Sequence, residues 1–228
     1  MNIYFSTLEK LKSLAESKYA EFSSKIANCE KQMLGVRIPT LRQIAKEIYF
    51  VDYNSYLDNC SFKYFEDTMI YGLVIANLGF EEFLKYLPVY LSNVDSWSHI
   101  DSFVPSIKSI KANEEKFLQI LKERINNASG FTLRFYIICL MDFYLKTEYL
   151  NYVFGVCESY DGQGYYNDMA IAWLISVAFV KFKDKTFNFI KNCKLSSFTL
   201  NKSISKIKDS FRVSREDKIL LQNYIRKK

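Results

Sequence analysis

The sequence predicts an all-α protein, an α-solenoid of stacked helix pairs, and three observations carry that prediction. Glycine and proline are scarce, 7 and 3 in 228 residues, where average usage of roughly 7% and 5% would supply more than twenty. Sheets and nucleotide-binding α/β folds spend those residues on turns and phosphate loops, so the shortage argues against both. Apolar residues make up 49% of the chain and recur at helical spacing in segment after segment, as they do when a helix buries one face. Short connectors join the segments, with no Pro-, Gly- or Ser-rich linker. Residues 1–228 therefore read as a single domain of helix pairs, with a globular helix bundle as the alternative architecture.

Taken in order, Leu8, Leu11, Ala15 and Tyr19 share a face and predict a helix over 3–26. The stretch around Gly35 and Pro39 breaks it, and Pro39 suits the first turn of the next helix, 40–50. A short piece follows at 53–57. Helices are then predicted over 64–78 and 80–91, divided by Gly79, and over 97–107, 114–126, 131–146 and 148–159. The segment 165–182 runs apolar to Val180 and should be a central helix. The last three are 185–193, 199–211 and 215–225.

Lys and Arg (31) exceed Asp and Glu (25), a net charge of +6, which permits a nucleic-acid partner without demanding one. The five cysteines are scattered and lack a C-x-x-C pair, the pattern of reduced core thiols. The uncharged run 68–80 is too short for a bilayer span of about 18 residues, and Glu9, Lys10 and Lys12 interrupt any signal-peptide core. The expectation is a soluble, cytoplasmic, monomeric protein that makes no membrane contact. His99 is the only histidine, so hydrolytic triads and His/Cys metal clusters lack their parts. Neither phosphate-binding glycine motif occurs. No metal or cofactor is expected, and any chemistry falls to carboxylates, aromatics and arginine.

Three places along the chain, with four residues between them, stand out from their local pattern. Arg134 stands in line with Ile138, Met141 and Leu145, an apolar stripe in which a guanidinium must snorkel out or meet an anion. That anion could be a carboxylate such as Asp142, a phosphate or an active-site acid. In Val94-Asp-Ser-Trp-Ser-His-Ile-Asp-Ser-Phe103, Trp97 and Asp101 lie four residues apart on one helix face, with Asp95 or Ser96 as cap. An indole beside a carboxylate can hold a cation; a core Trp next to a surface Asp is the plainer reading. Trp173 lies on the predicted central helix, where core packing is the plainer reading. Basic residues recur at Arg37, Arg42 and Lys46, at Lys108 and Lys111, at Lys181, Lys183 and Lys185, and at Lys202, Lys206, Lys208 and Arg212. They suit duplex DNA along a curved helical stack, or are solvated helix faces.

Five segments resemble one family. They are Leu34-Gly-Val-Arg-Ile-Pro-Thr-Leu-Arg-Gln-Ile-Ala-Lys-Glu-Ile48, Asp95-Ser-Trp-Ser-His-Ile-Asp-Ser-Phe103, Leu133-Arg-Phe-Tyr-Ile137, Tyr165-Tyr-Asn-Asp-Met-Ala-Ile-Ala-Trp-Leu174 and Ile204-Ser-Lys-Ile-Lys-Asp-Ser-Phe-Arg-Val-Ser214. In that order, over nearly the whole chain, the sequence resembles the AlkD-like DNA alkylation repair glycosylases, built from HEAT-like helical repeats. The resemblance implies a solenoid whose concave basic face grips duplex DNA and hydrolysis of the glycosidic bond of cationic purines such as 3-methyladenine and 7-methylguanine. By position, Asp101 matches the catalytic aspartate, Trp97 and Trp173 the aromatics beside the deoxyribose, and Arg134 the arginine near the active-site backbone. Arg37, Arg42, Lys108, Lys181, Lys202, Lys206 and Arg212 are the candidate DNA contacts. Ser98, His99 and Ile100 depart from the family in lacking an extra aromatic. A catalytically inactive DNA-binding or damage-sensing relative is the alternative, and a scaffold for protein partners a third.

Overall fold

A computed structural model describes residues 2–227. Among them lie thirteen α-helices, a few short 3-10 turns and no strand, so the chain is all-α as the glycine and proline shortage predicts. None of these helices is long and apolar enough to cross a membrane. The chain divides into two compact units, Met1–Gln119 and Ile120–Lys228. The division falls within α7 (Glu114–Arg124).

The first unit contains α1 (Ile3–Ser13), α2 (Ser17–Ala27), α3 (Ile38–Asn59), α4 (Phe65–Ile75), α5 (Phe80–Ser92) and α6 (Trp97–Phe103). Its centre is α4, buried at every residue and packed on α3, α5 and α6. Each Leu, Ile or Phe so buried contributes about 1.5–3 kcal/mol. Two carboxylates enter this core at the start of α4. Asp67 accepts the Tyr64 N–H (3.0 Å), closing the helix terminus. Glu66, 1% exposed, accepts N–H groups from Leu34 (3.0 Å), Gly35 (2.7 Å) and Val36 (3.2 Å). Glu66 thereby pins the loop that leads into α3.

That loop overturns the expected helix over 3–26. The chain forms two helices there, because Leu14 closes α1 onto the Lys10 and Leu11 carbonyls and Glu16 is extended (φ −115°, ψ 101°). Glu16 is held open from across the fold. Its carboxylate pairs with Arg37, and its carbonyl lies against Gly35, where a Cβ would approach to 2.3 Å. Gly35 also sits at φ +91°, so only glycine fits. A second correction joins the pieces 40–50 and 53–57 into α3, kinked at Asp52 (φ −166°, ψ 78°). The Asp52 carboxylate accepts the Ser55 N–H (3.0 Å) and restarts the helix within a single residue.

The second unit contains α8 (Gly130–Phe143), α9 (Leu150–Ser159), α10 (Tyr165–Lys181), α11 (Lys183–Asn192), α12 (Ser197–Asp209) and α13 (Arg215–Gln222). As expected, α10 is central here, packing on α8, α11 and α12 with Ile171, Leu174, Ile175 and Phe179 buried. Ser196 and Ser214 start α12 and α13, accepting the Thr199 N–H (3.2 Å) and Asp217 N–H (3.1 Å). The cysteines are unpaired thiols, three of them buried. Burial raises all five, Cys60 up to about 12, so none is a thiolate nucleophile at neutral pH.

Candidate active site and nucleic-acid interface

The orientation of α6 follows from its cap. Ser96, fully buried, donates to the Ala27 carbonyl (2.7 Å) and accepts the Ser98 N–H (3.3 Å). Ser96 is therefore the cap, and Asp95, the other candidate, accepts the Glu30 and Lys31 N–H groups (3.0 and 2.9 Å). These bonds fasten the start of α6 to the end of α2. His99, Ile100 and Phe103 fill the buried face of α6. His99 stacks on the Phe65 ring (4.2 Å between centroids), and its Nε2 lies 3.0 Å from the Phe65 carbonyl.

With that face inward, Trp97 and Asp101 open together onto a cleft of about 350 Å³. Its opposite wall is Tyr19, Phe22 and Ile26 of α2, with Met33 and Val36 from the loop that Glu66 holds. The Trp97 Nε1–H donates to the Ile26 carbonyl (3.2 Å), which fixes the indole plane. Both Trp97 and Asp101 are half-buried, so Trp97 is not a closed core residue. The Asp101 charge reaches the buried Tyr90 hydroxyl, adding to the burial that pushes that phenol well up. An acid beside an indole can stabilise a cation, the carboxylate through its charge and the ring through its electron-rich face.

A second cleft of the same unit, about 390 Å³, gathers Arg42, Lys108 and Lys111 with Asn77 and Ser106. Arg42 donates from Nη1 to the Ser106 hydroxyl (2.7 Å) and from Nη2 to the Ser102 carbonyl (3.2 Å). Ser102 also lines the Asp101 cleft, so Arg42 braces the helix that carries the acid. Arg37 lines neither cleft but packs on Tyr19, a wall residue of the first. Its Nε and Nη2 donate to Glu16 (2.8 Å each), and its guanidinium lies 4.6 Å from the Tyr19 ring centre.

In the second unit Trp173 is also half-buried and lines a cleft of about 410 Å³. Trp173, Val177 and Val180 form an apolar floor at i, i+4 and i+7 of α10; Lys181, Lys206 and Arg212 surround it with Asp209. Four sequence-predicted residues thus come together. Lys202 does not line this cleft, and its ammonium lies 5.8 Å from the Phe198 ring centre. Arg134 is 5% exposed, so it does not snorkel out. Its Nη1 donates to the Tyr166 carbonyl in the first turn of α10, tying α8 to that helix.

Sequence reasoning missed Tyr19, Phe22 and Ile26 as a cleft wall, although their 3-and-4 spacing carried the signal. It also passed over Glu66, because nothing local marks an acid that binds a loop thirty residues away.

Burial pushes the His99 imidazole down to about 4, against the opposing pull of the Asp95 carboxylate 3.4 Å from Nδ1. A histidine lowered in the fold stays neutral there while its unfolded counterpart protonates near 6.5. Unfolding therefore takes up a proton between pH 6.5 and 4, and stability falls as pH drops through that window. Denaturant titrations should show a loss of roughly 3 kcal/mol, complete below pH 4, that is absent in His99→Gln. Equal pH slopes for the two proteins would assign the effect to another group.

The fold and its clefts, one with an acid and an indole in the first unit and cation-lined ones in both, define an all-α protein of helix pairs. The particular lineage follows from the sequence match: the profile of the DNA alkylation repair enzyme family covers residues 7–207, and the chain belongs to that family. Membership assigns it to the repair of alkylated DNA, with DNA as partner. A search among curated proteins finds no match to it.

Proposed function

We propose that the chain is a DNA glycosylase that hydrolyses the N-glycosidic bond of cationic alkylated purines, 3-methyladenine and 7-methylguanine, in duplex DNA. One observation carries this reading: Trp97 and Asp101 open side by side onto one largely apolar cleft. Alkylation at N3 or N7 makes the purine cationic and a good leaving group without protonation by an acid. Breaking its bond leaves an oxocarbenium-like sugar, and the Asp101 carboxylate stabilises that cation and orients the attacking water. The Trp97 indole contributes through its electron-rich face, more strongly as charge develops.

Catalysis so arranged acts on the sugar and takes selectivity from the lability of the lesion, so the base need not be flipped into a pocket. The resemblance gives Trp173 and Arg134 the same reaction, Trp173 against the deoxyribose and Arg134 near its backbone. Arg42 and Lys108 in one unit, and Lys181, Lys206 and Arg212 in the other, are the phosphate contacts, with Arg37 and Lys202 as further candidates.

The test is base release from methylated duplex DNA by the purified protein. Free 7-methylguanine in the supernatant is the expected result. Salt-dependent duplex binding with no released base would instead make the chain a damage-sensing protein without catalysis.

A further inference from the structure

We propose that Phe211 is a nucleobase-stacking side chain, inserted into duplex DNA that the Trp173 cleft holds, with Arg212 on the adjoining phosphate. This rests on the DNA reading above and deepens it, naming a contact for the bases themselves.

The observation is an aromatic ring entirely in water. Phe211 is 103% exposed, more than any other large apolar residue described. It sits in the turn between α12 and α13, and that turn is held from both sides. Ser210 Oγ accepts the Arg212 N–H (3.2 Å), and Val213 is buried beneath the turn. Ser214 caps α13 and donates to Asp217 (2.9 Å), and Asp217 pairs with Lys183 (2.7 Å). Phe211 is therefore presented on a braced turn with its backbone ordered in advance, which lowers the cost of binding.

Its neighbours identify the partner. Ser210 and Arg212, on either side of Phe211, both line the Trp173 cleft. Three cations there, Lys181, Lys206 and Arg212, face a single carboxylate, Asp209, an excess of two positive charges over an apolar floor. A lone phenyl ring beside such a surface suits a ligand that joins flat aromatic faces to a regular array of negative charge. Nucleobases on a phosphodiester chain are that ligand. Single apolar side chains of this kind enter base steps in DNA-bending proteins, and ring-on-base stacking tolerates any sequence. A membrane surface would call for a row of apolar residues, where this turn offers one.

The experiment uses the full chain and a duplex carrying a stable abasic-site analogue with 2-aminopurine beside it, so that no bond is broken. Wild type is expected to bind and to raise the 2-aminopurine fluorescence as the neighbouring stack opens. Phe211→Ala should bind about tenfold more weakly and give no rise, with an unchanged unfolding temperature because the ring touches nothing in the fold. Arg212→Ala should keep the rise but lower the slope of log affinity against log salt by about 1. Binding and brightening by Phe211→Ala equal to wild type would overturn the stacking role while leaving the DNA reading intact. Failure of wild type to bind any duplex would remove both. A loss of self-association in Phe211→Ala, with DNA binding unchanged, would reassign the ring to a protein interface.

Discussion

Asp101→Asn is expected to lower 7-methylguanine release by on the order of 10²–10³-fold, the usual penalty for removing one preorganised electrostatic contact from a transition state. The substitution keeps the size of the side chain and removes its charge. The sugar cation then loses its counter-charge in a cleft that no other charged side chain lines. Duplex binding should stay within about twofold, because phosphate contacts dominate affinity. Single-turnover release on methylated duplex, beside a binding isotherm, separates the two. Equal release rates for Asp101→Asn and wild type would remove the acid from the mechanism. Unchanged release with weaker binding would make it a binding group.

Glu66→Ala should cost about 3–5 kcal/mol in denaturant unfolding, the largest loss expected of any single substitution considered. Three backbone N–H groups lose a charged acceptor, those of Gly35 and Val36 in buried positions, and each buried donor left unsatisfied costs about 1–3 kcal/mol. Glu66→Gln, which keeps an acceptor oxygen, should lose less than half as much. The effect reaches the cleft as well, because Met33 and Val36 belong to its wall. Base release by Glu66→Ala should fall even at temperatures where the protein remains folded. A fully active, equally stable Glu66→Ala would mean that the loop holds its shape without the acid.

The two predictions differ in how far they could be read from the chain. That Trp97 and Asp101 share one face of α6 was legible because its signal is local: a cap at Asp95 or Ser96, an indole, and a carboxylate four residues on among Ile100, Phe103 and Val104. The centrality of α10 was visible for a similar reason, its apolar run leaving no face for solvent. Arg134 was marked as anomalous, and one acceptor that it reaches, the Tyr166 carbonyl, lies on another helix and carries no sequence signal. The break between α1 and α2 was hidden because the apolar period runs straight through it. What opens the chain there is Gly35 and Arg37, about twenty residues onward.

By itself the sequence determined that this chain is helical, where most of its helices lie, and which side chains share a face. Those properties follow from spacing along a single segment, and 3.6-residue periodicity and capping chemistry express them without reference to the rest of the molecule. Only the tertiary structure decided which of those faces stay open. Trp97 and Asp101 form a cleft because Ser96 and His99 turn the other side of α6 into the core, while α2 stands opposite. Trp173 meets Lys206 and Arg212 because α12 packs on α10. A cleft is a relation between segments far apart in the chain, set by packing and buried hydrogen bonds that no local pattern encodes.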